Sequence, residues 1–171
     1  MNNSRIREMN MVALFAALSI VGGMFIVIPT PFARCAPVQH IVNVMCAVML
    51  GPRCGVAAAF IASVIRNLLG IGTLVAFPGS MCGAWLSGMM YRRFHKVHAA
   101  VAGEIIGTGI IGALLAYPVS SYILGNSAAA IYTFIVPFTV STAAGSAISA
   151  VIICALEKMR LMSVLEESGK Q

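Results

Sequence analysis

Apolar stretches follow one another along the whole of this chain, with only short breaks between them. No other feature restricts the fold as much. A soluble domain of 171 residues, 60% hydrophobic, 9% charged and without a single aspartate, has too little polar surface to cover itself. A membrane-spanning helix needs about 20 apolar residues, and fewer where neighbouring helices or a thinned bilayer help. The breaks divide the chain into six spans, roughly 9–28, 38–50, 55–69, 73–91, 99–124 and 130–156. The expected fold is all-α: a single polytopic membrane domain with six transmembrane helices.

The breaks have chemical causes. Pro29 and Pro31 end the first span, and Pro37 suits the first turn of the second. Gly51-Pro52 separates the second from the third, and Gly70-Ile71-Gly72 ends the third. Phe77-Pro78-Gly79-Ser80 lies near the start of the fourth. Pro118 kinks or ends the regular part of the fifth, Gly125-Asn126-Ser127 turns the chain, and Pro137 sits near the outer end of the sixth. The first apolar run lacks the short core and small-residue cleavage site of a signal peptide, so it reads as the first span. The tail from Glu157 to Gln171 alternates charge, as a short surface helix would.

The net charge of +6 does not point to nucleic acid, because the basic residues form no stripe. They fall in short loops. With the N-terminus inside, Arg5, Arg7, Arg53, Arg92, Arg93, Lys96, Lys158, Arg160 and Lys170 all lie on the cytoplasmic side, and the outer loops keep only Arg34. This bias predicts that both termini are cytoplasmic. The five cysteines (Cys35, Cys46, Cys54, Cys82, Cys154) show no CxxC pair and no metal-ligand spacing, so neither a disulfide, a metal nor a cofactor is expected. Small residues recur at helix-packing spacing: Ala13 and Ala17, Gly79 and Gly83, Gly103 and Gly107. Such pairs let helix backbones approach closely in lipid.

Function should lie in the polar exceptions, since an ionisable group at membrane depth is costly. His40 and Asn43 lie one turn apart on one face of the second span. Arg66 and Asn67 lie near the outer end of the third, Phe77 and Ser80 at the start of the fourth. Tyr117, Ser120, Ser121 and Tyr122 lie at the outer end of the fifth. Together they predict a pocket open to the outside. Trp85 offers a flat ring for stacking, and Glu104, about a turn and a half into the fifth span from the cytoplasmic side, stands apart. Arg66 presents a planar fork of donors, and His40 and Asn43 each donate and accept. This inventory suits a small heteroaromatic molecule, hydroxylated or phosphorylated. Each residue also has a plainer reading: Arg66 as an interfacial cation, His40 as a helix-start residue, Glu104 as a structural lock to the basic loop, Trp85 as packing or an interfacial anchor. Enzyme chemistry is not expected. There is no aspartate cluster, no Gly-x-Ser-x-Gly nucleophile and no GxxxxGK nucleotide loop.

The segments Pro37-Val38-Gln39-His40-Ile41-Val42-Asn43-Val44, Leu50-Gly51-Pro52, Ser63 to Thr73 (Ser-Val-Ile-Arg-Asn-Leu-Leu-Gly-Ile-Gly-Thr) and Ala76-Phe77-Pro78-Gly79-Ser80 resemble the ThiW family. These are substrate-capture S-components of energy-coupling factor (ECF) vitamin transporters. The resemblance covers about residues 8 to 158. It implies a multi-pass protein of a bacterial or archaeal plasma membrane that catches a thiamin precursor, 4-methyl-5-(2-hydroxyethyl)thiazole or a close relative. It also implies docking on a membrane coupling subunit driven by two ATPase subunits, through small residues that match Ala13 and Ala17. On this reading a thiazole ring stacks on Phe77 or Trp85, its nitrogen meets His40 or Asn43, and its hydroxyl meets Asn67 or Ser80. Arg66 holds a phosphate if there is one. Otherwise it braces the pocket by bonding carbonyls at the Leu69 to Gly72 break. Other readings are an S-component for another small heterocyclic vitamin, a self-sufficient secondary carrier with Glu104 as a proton relay, and an assembly subunit with no ligand.

Overall fold

Proline and glycine set most of the helix ends. In the computed structural model, which describes residues 3–29, 34–126, 128 and 130–159, the chain is all-helical apart from one short β-ladder. Helix α1 spans Asn3–Phe25, α2 Pro37–Leu50, α3 Pro52–Leu68, α4 Ala76–Phe94, α5 Val97–Ile123 and α6 Ile135–Lys158. Strands β1 (Ile28–Pro29) and β2 (Arg34–Cys35) pair antiparallel between α1 and α2. Pro31, Ser127 and the tail from residue 160 onward lie outside the described residues.

Pro37 and Pro52 each occupy the first turn of their helix, where a missing N–H costs nothing. Between them stands Gly51 at φ +92°, closing α2 through its N–H to Ala47 O and opening α3. Only glycine takes that φ freely. Helix α1 begins six residues before the apolar run does, because hydropathy marks the part suited to lipid and hydrogen bonding marks the helix. The last helix starts at Ile135, after a turn in which Thr133 N–H donates to Ala130 O.

Helix α5 is not uniform. Wide π-helical turns occupy Gly107–Gly112 and Val119–Ile123, the second directly after Pro118, which has no N–H to give the preceding turn. Helices α2 and α4 form the centre. Helix α4 packs on α2, α3 and α5, α6 packs on α2 and α5, and α1 covers α2 and α3. The outside is apolar: Phe25, Leu68, Val136 and Val151 are among many large side chains left exposed. Helices α1, α5 and α6 are long and apolar enough to cross a membrane; α2, with 14 residues, is apolar but short. All five cysteines are free.

Candidate functional site: a buried carboxylate and the pocket beside it

The site begins with glycines. A Cβ on Gly103 would lie 2.7 Å from Leu86 O, one on Gly107 2.7 Å from Cys82 O, and one on Gly112 2.3 Å from Gly79 Cα. Gly107 therefore faces Gly83 and Gly112 faces Gly79, Gly103 meets Leu86 and Ser87, and α4 and α5 touch backbone to backbone. A Cβ on Gly83 would come within 2.0 Å of Thr108 Oγ1 and 2.7 Å of Glu104 Oε2. The bare surface of α4 is what makes room for these two α5 side chains.

Glu104 is fully buried, and its Oε1 is the hub of a polar cluster drawn from three helices. His40 Nδ1 of α2 lies 2.9 Å away. Asn43 Nδ2 donates to the same oxygen at 3.1 Å and to Ser80 O of α4 at 3.2 Å, so both amide hydrogens are used. Thr108 Oγ1 lies 3.1 Å from Oε1 and 3.0 Å from Gly79 O, and its one proton serves either acceptor. Oε2 is buried against Gly83 with no partner among the described residues. Ser80 and Ser63 hydroxyls share a hydrogen bond of 3.2 Å, which ties α3 to the same centre.

Glu104 does not stand apart, as its position in the sequence suggests; it joins His40 and Asn43. The reason is the shortness of α2. Asn43 is seven residues before Leu50 and Glu104 seven after Val97, so each sits about 10 Å from the same end of the bundle. Depth counted from the Pro37 end conceals this match.

Beside the cluster lies a narrow pocket of about 20 Å³, lined by the polar side chains of Gln39, His40, Ser80 and Thr108 and by Cys35 and Phe138. That is room for about one water molecule. Gln39 and Thr108 are absent from the sequence-based candidates. Thr108 stands one helical turn from Glu104, which is a readable signal, and Gln39 is an amide in an otherwise apolar run.

The other candidates are placed as follows. Arg66 is buried beside the pocket. Its Nη1 donates to Gln39 Oε1, its guanidinium packs against Gly23, and its Nε has no partner among the described residues. The break after α3 is braced not by the Arg66 side chain but by Asn67, whose Nδ2 donates to Ser63 O at 2.8 Å and Thr73 O at 3.3 Å. The carbonyl of Arg66 accepts the N–H groups of Ile71 and Gly72. Phe77 packs edge-on against Phe60, with ring centroids 5.9 Å apart. Trp85 is 52% exposed on the outer side of α4 and joins neither cluster nor pocket. Ala13 and Ala17 lie exposed on α1. Among the described residues no three metal-binding side chains come together.

An apolar-coated helical bundle with a carboxylate and its polar partners buried inside is a membrane protein that keeps ionisable chemistry at its centre. The family description that matches residues 9–159 is thiamine-precursor transporter protein (ThiW), and the chain belongs to that family, one of transporters and not of enzymes. Among solved structures the fold is similar to that of the S component of a bacterial ECF transporter, with a TM-score of 0.64 and 15% identity over 94% of this chain and 98% of the other. No curated protein matches the chain.

Proposed function

We propose that this protein is the substrate-capture component of an ECF-type transporter that takes up a thiamin precursor, hydroxyethylthiazole or a close relative. The observation that carries the reading is the pocket. Polar groups from α2, α4 and α5 converge on one narrow pocket, in a fold like that of an S component. The binding groups are His40 and Ser80, with Gln39 and Thr108 completing the wall and Asn43 holding Glu104 and Ser80 O behind it. Arg66 holds Gln39, Asn67 holds the end of α3, and Phe77 packs on Phe60. On this reading the chain sits in a bacterial or archaeal plasma membrane and docks on a coupling subunit carrying two ATPases.

Calorimetry on the folded, detergent-solubilised protein tests the pocket. A buried hydrogen bond to a ligand contributes roughly 1–3 kcal/mol when its loss leaves a group unpaired. His40→Ala and Asn43→Ala are each expected to weaken hydroxyethylthiazole binding about tenfold or more. Arg66→Lys keeps a charge and loses the planar fork that holds Gln39, so it is expected to fail nearly as badly as Arg66→Ala. Affinity equal to the parent in both His40→Ala and Arg66→Lys would remove the pocket from the binding site.

The proposal includes six spans with both termini cytoplasmic, as the basic residues suggest. In a cysteine-free background, an impermeant thiol reagent added to intact cells should label a cysteine placed at Asn126 and miss one placed at Lys96. The opposite pattern would invert the orientation and put the pocket on the wrong side for uptake.

One observation favours a second reading. The partnerless Oε2 of Glu104 suits a proton acceptor in a self-sufficient carrier. Uptake into vesicles holding this protein alone, driven by a proton gradient, would support it over dependence on ATPase subunits.

A further inference from the structure

His40 lines the pocket and Glu104 does not, yet the two are bonded, so what Glu104 does to His40 is passed on to whatever the pocket holds. Asn43 Nδ2 donates to Glu104 Oε1 at 3.1 Å, which marks that oxygen as an acceptor, so the proton in its 2.9 Å contact with His40 Nδ1 is assigned to Nδ1. Asn43, and Thr108 in its turn, give the same oxygen further donors. Three side chains from two helices thus converge on Oε1. His40 is also held from behind. A Cβ on Gly145 of α6 would be 2.3 Å from Pro37 O and 2.9 Å from His40 Cβ, so α6 packs closely on the stem of His40. Nδ1 is occupied, and Nε2 is the nitrogen left to meet a ligand. In a neutral imidazole with Nδ1 protonated, Nε2 can only accept.

We infer that Glu104 is a positioning residue: it fixes the His40 tautomer with the proton on Nδ1, and so makes the pocket select ligands that present an O–H or N–H donor to Nε2. The inference rests on the reading that this pocket holds the ligand. A small heterocyclic alcohol meets the requirement through its hydroxyl. Its methyl ether has the same ring and nearly the same size, but has no proton to donate.

The test combines a spectroscopic signature with a pair of ligands. The full-length protein is labelled with ¹⁵N-histidine in detergent, and the signals of His40 are told from those of His95 and His98 by their loss in His40→Gln. The expected result is a protonated Nδ1 and an unprotonated Nε2. Calorimetry with hydroxyethylthiazole and its methyl ether should show the parent preferring the alcohol by about tenfold or more. In Glu104→Gln the side-chain amide also brings a donor, the ring is free to carry its proton on Nε2, and the preference is expected to disappear. The inference is overturned if His40 of the parent carries its proton on Nε2 or on both nitrogens, or if folded Glu104→Gln keeps the preference. Should the parent bind neither compound, the thiazole reading fails, and the nitrogen signals of the parent still decide the tautomer without any variant.

Discussion

Uptake by whole cells is expected to fall to background when Ala13 or Ala17 is replaced by Trp, while the isolated protein binds its ligand as before. Helix α1 buries Val12, Phe15, Ala16, Ser19 and Gly23 against the bundle, which leaves Ala13 and Ala17 one turn apart on its exposed flank. Ala13 borders an apolar groove that α1 shares with Ala57 and Ile61 of α3. A tryptophan there meets only lipid in the isolated protein, and an apolar ring in lipid costs little. Against another helix it holds the two backbones apart, and contact between helices in lipid depends on close approach. Radiolabelled uptake in cells and calorimetry on purified protein measure the two effects separately. Normal uptake by either variant would mean that the coupling subunit binds elsewhere.

A large loss of stability is expected from Gly112→Ala. Its new Cβ would lie 2.3 Å from Gly79 Cα, and a backbone atom cannot rotate out of the way as a side chain can. Overpacking costs typically about 1–3 kcal/mol, and more when helices must separate. Here separation would also pull Thr108 off Gly79 O and loosen the donors around Glu104. Gly70→Ala makes a useful contrast. Nothing lies within 4 Å of its added Cβ, and only the φ of +71° is strained, at about 1 kcal/mol. Thermal unfolding followed by size-exclusion chromatography should therefore rank Gly112→Ala well below Gly70→Ala. Equal midpoints would show that α4 and α5 are not held together at backbone contact.

Helix ends at Pro37, Gly51-Pro52 and the Gly70 to Gly72 break were legible because proline and glycine act locally, whatever they pack against. The two GxxxG pairs were legible as helix contacts for a related reason: the missing side chains are themselves the interface. His40 and Asn43 were legible as a pair from their helical spacing. What the residues did not reveal was which helix end to measure from. Asn43 and Glu104 are equally far from one end of the bundle, but α2 is short and α5 long, so counting from the other end sets them apart. Trp85 attracted notice by residue type. Its phase tells against it, since Gly79, Ser80, Gly83, Ala84 and Ser87 mark the buried face of α4 and Trp85 lies away from them. Arg66 was legible as a residue of the last turn of α3, but which neighbour its fork would choose depends on Gln39, an amide on another helix.

The wide turn at Gly107–Gly112 also bears on how the length of α5 can vary. A π-helical turn holds one residue more than an α-helical one. Each residue of an ordinary helix turns the chain by about 100°, so a deletion elsewhere in α5 would swing everything beyond it off its partner. A deletion within 107–112 would instead let the turn tighten to ordinary pitch. Gly103 and Glu104 would stay in phase with Ala113 and Ala116, which are buried on the far side of the turn. This stretch is therefore a slack link, where the chain can lose a residue and leave the carboxylate still aimed at His40.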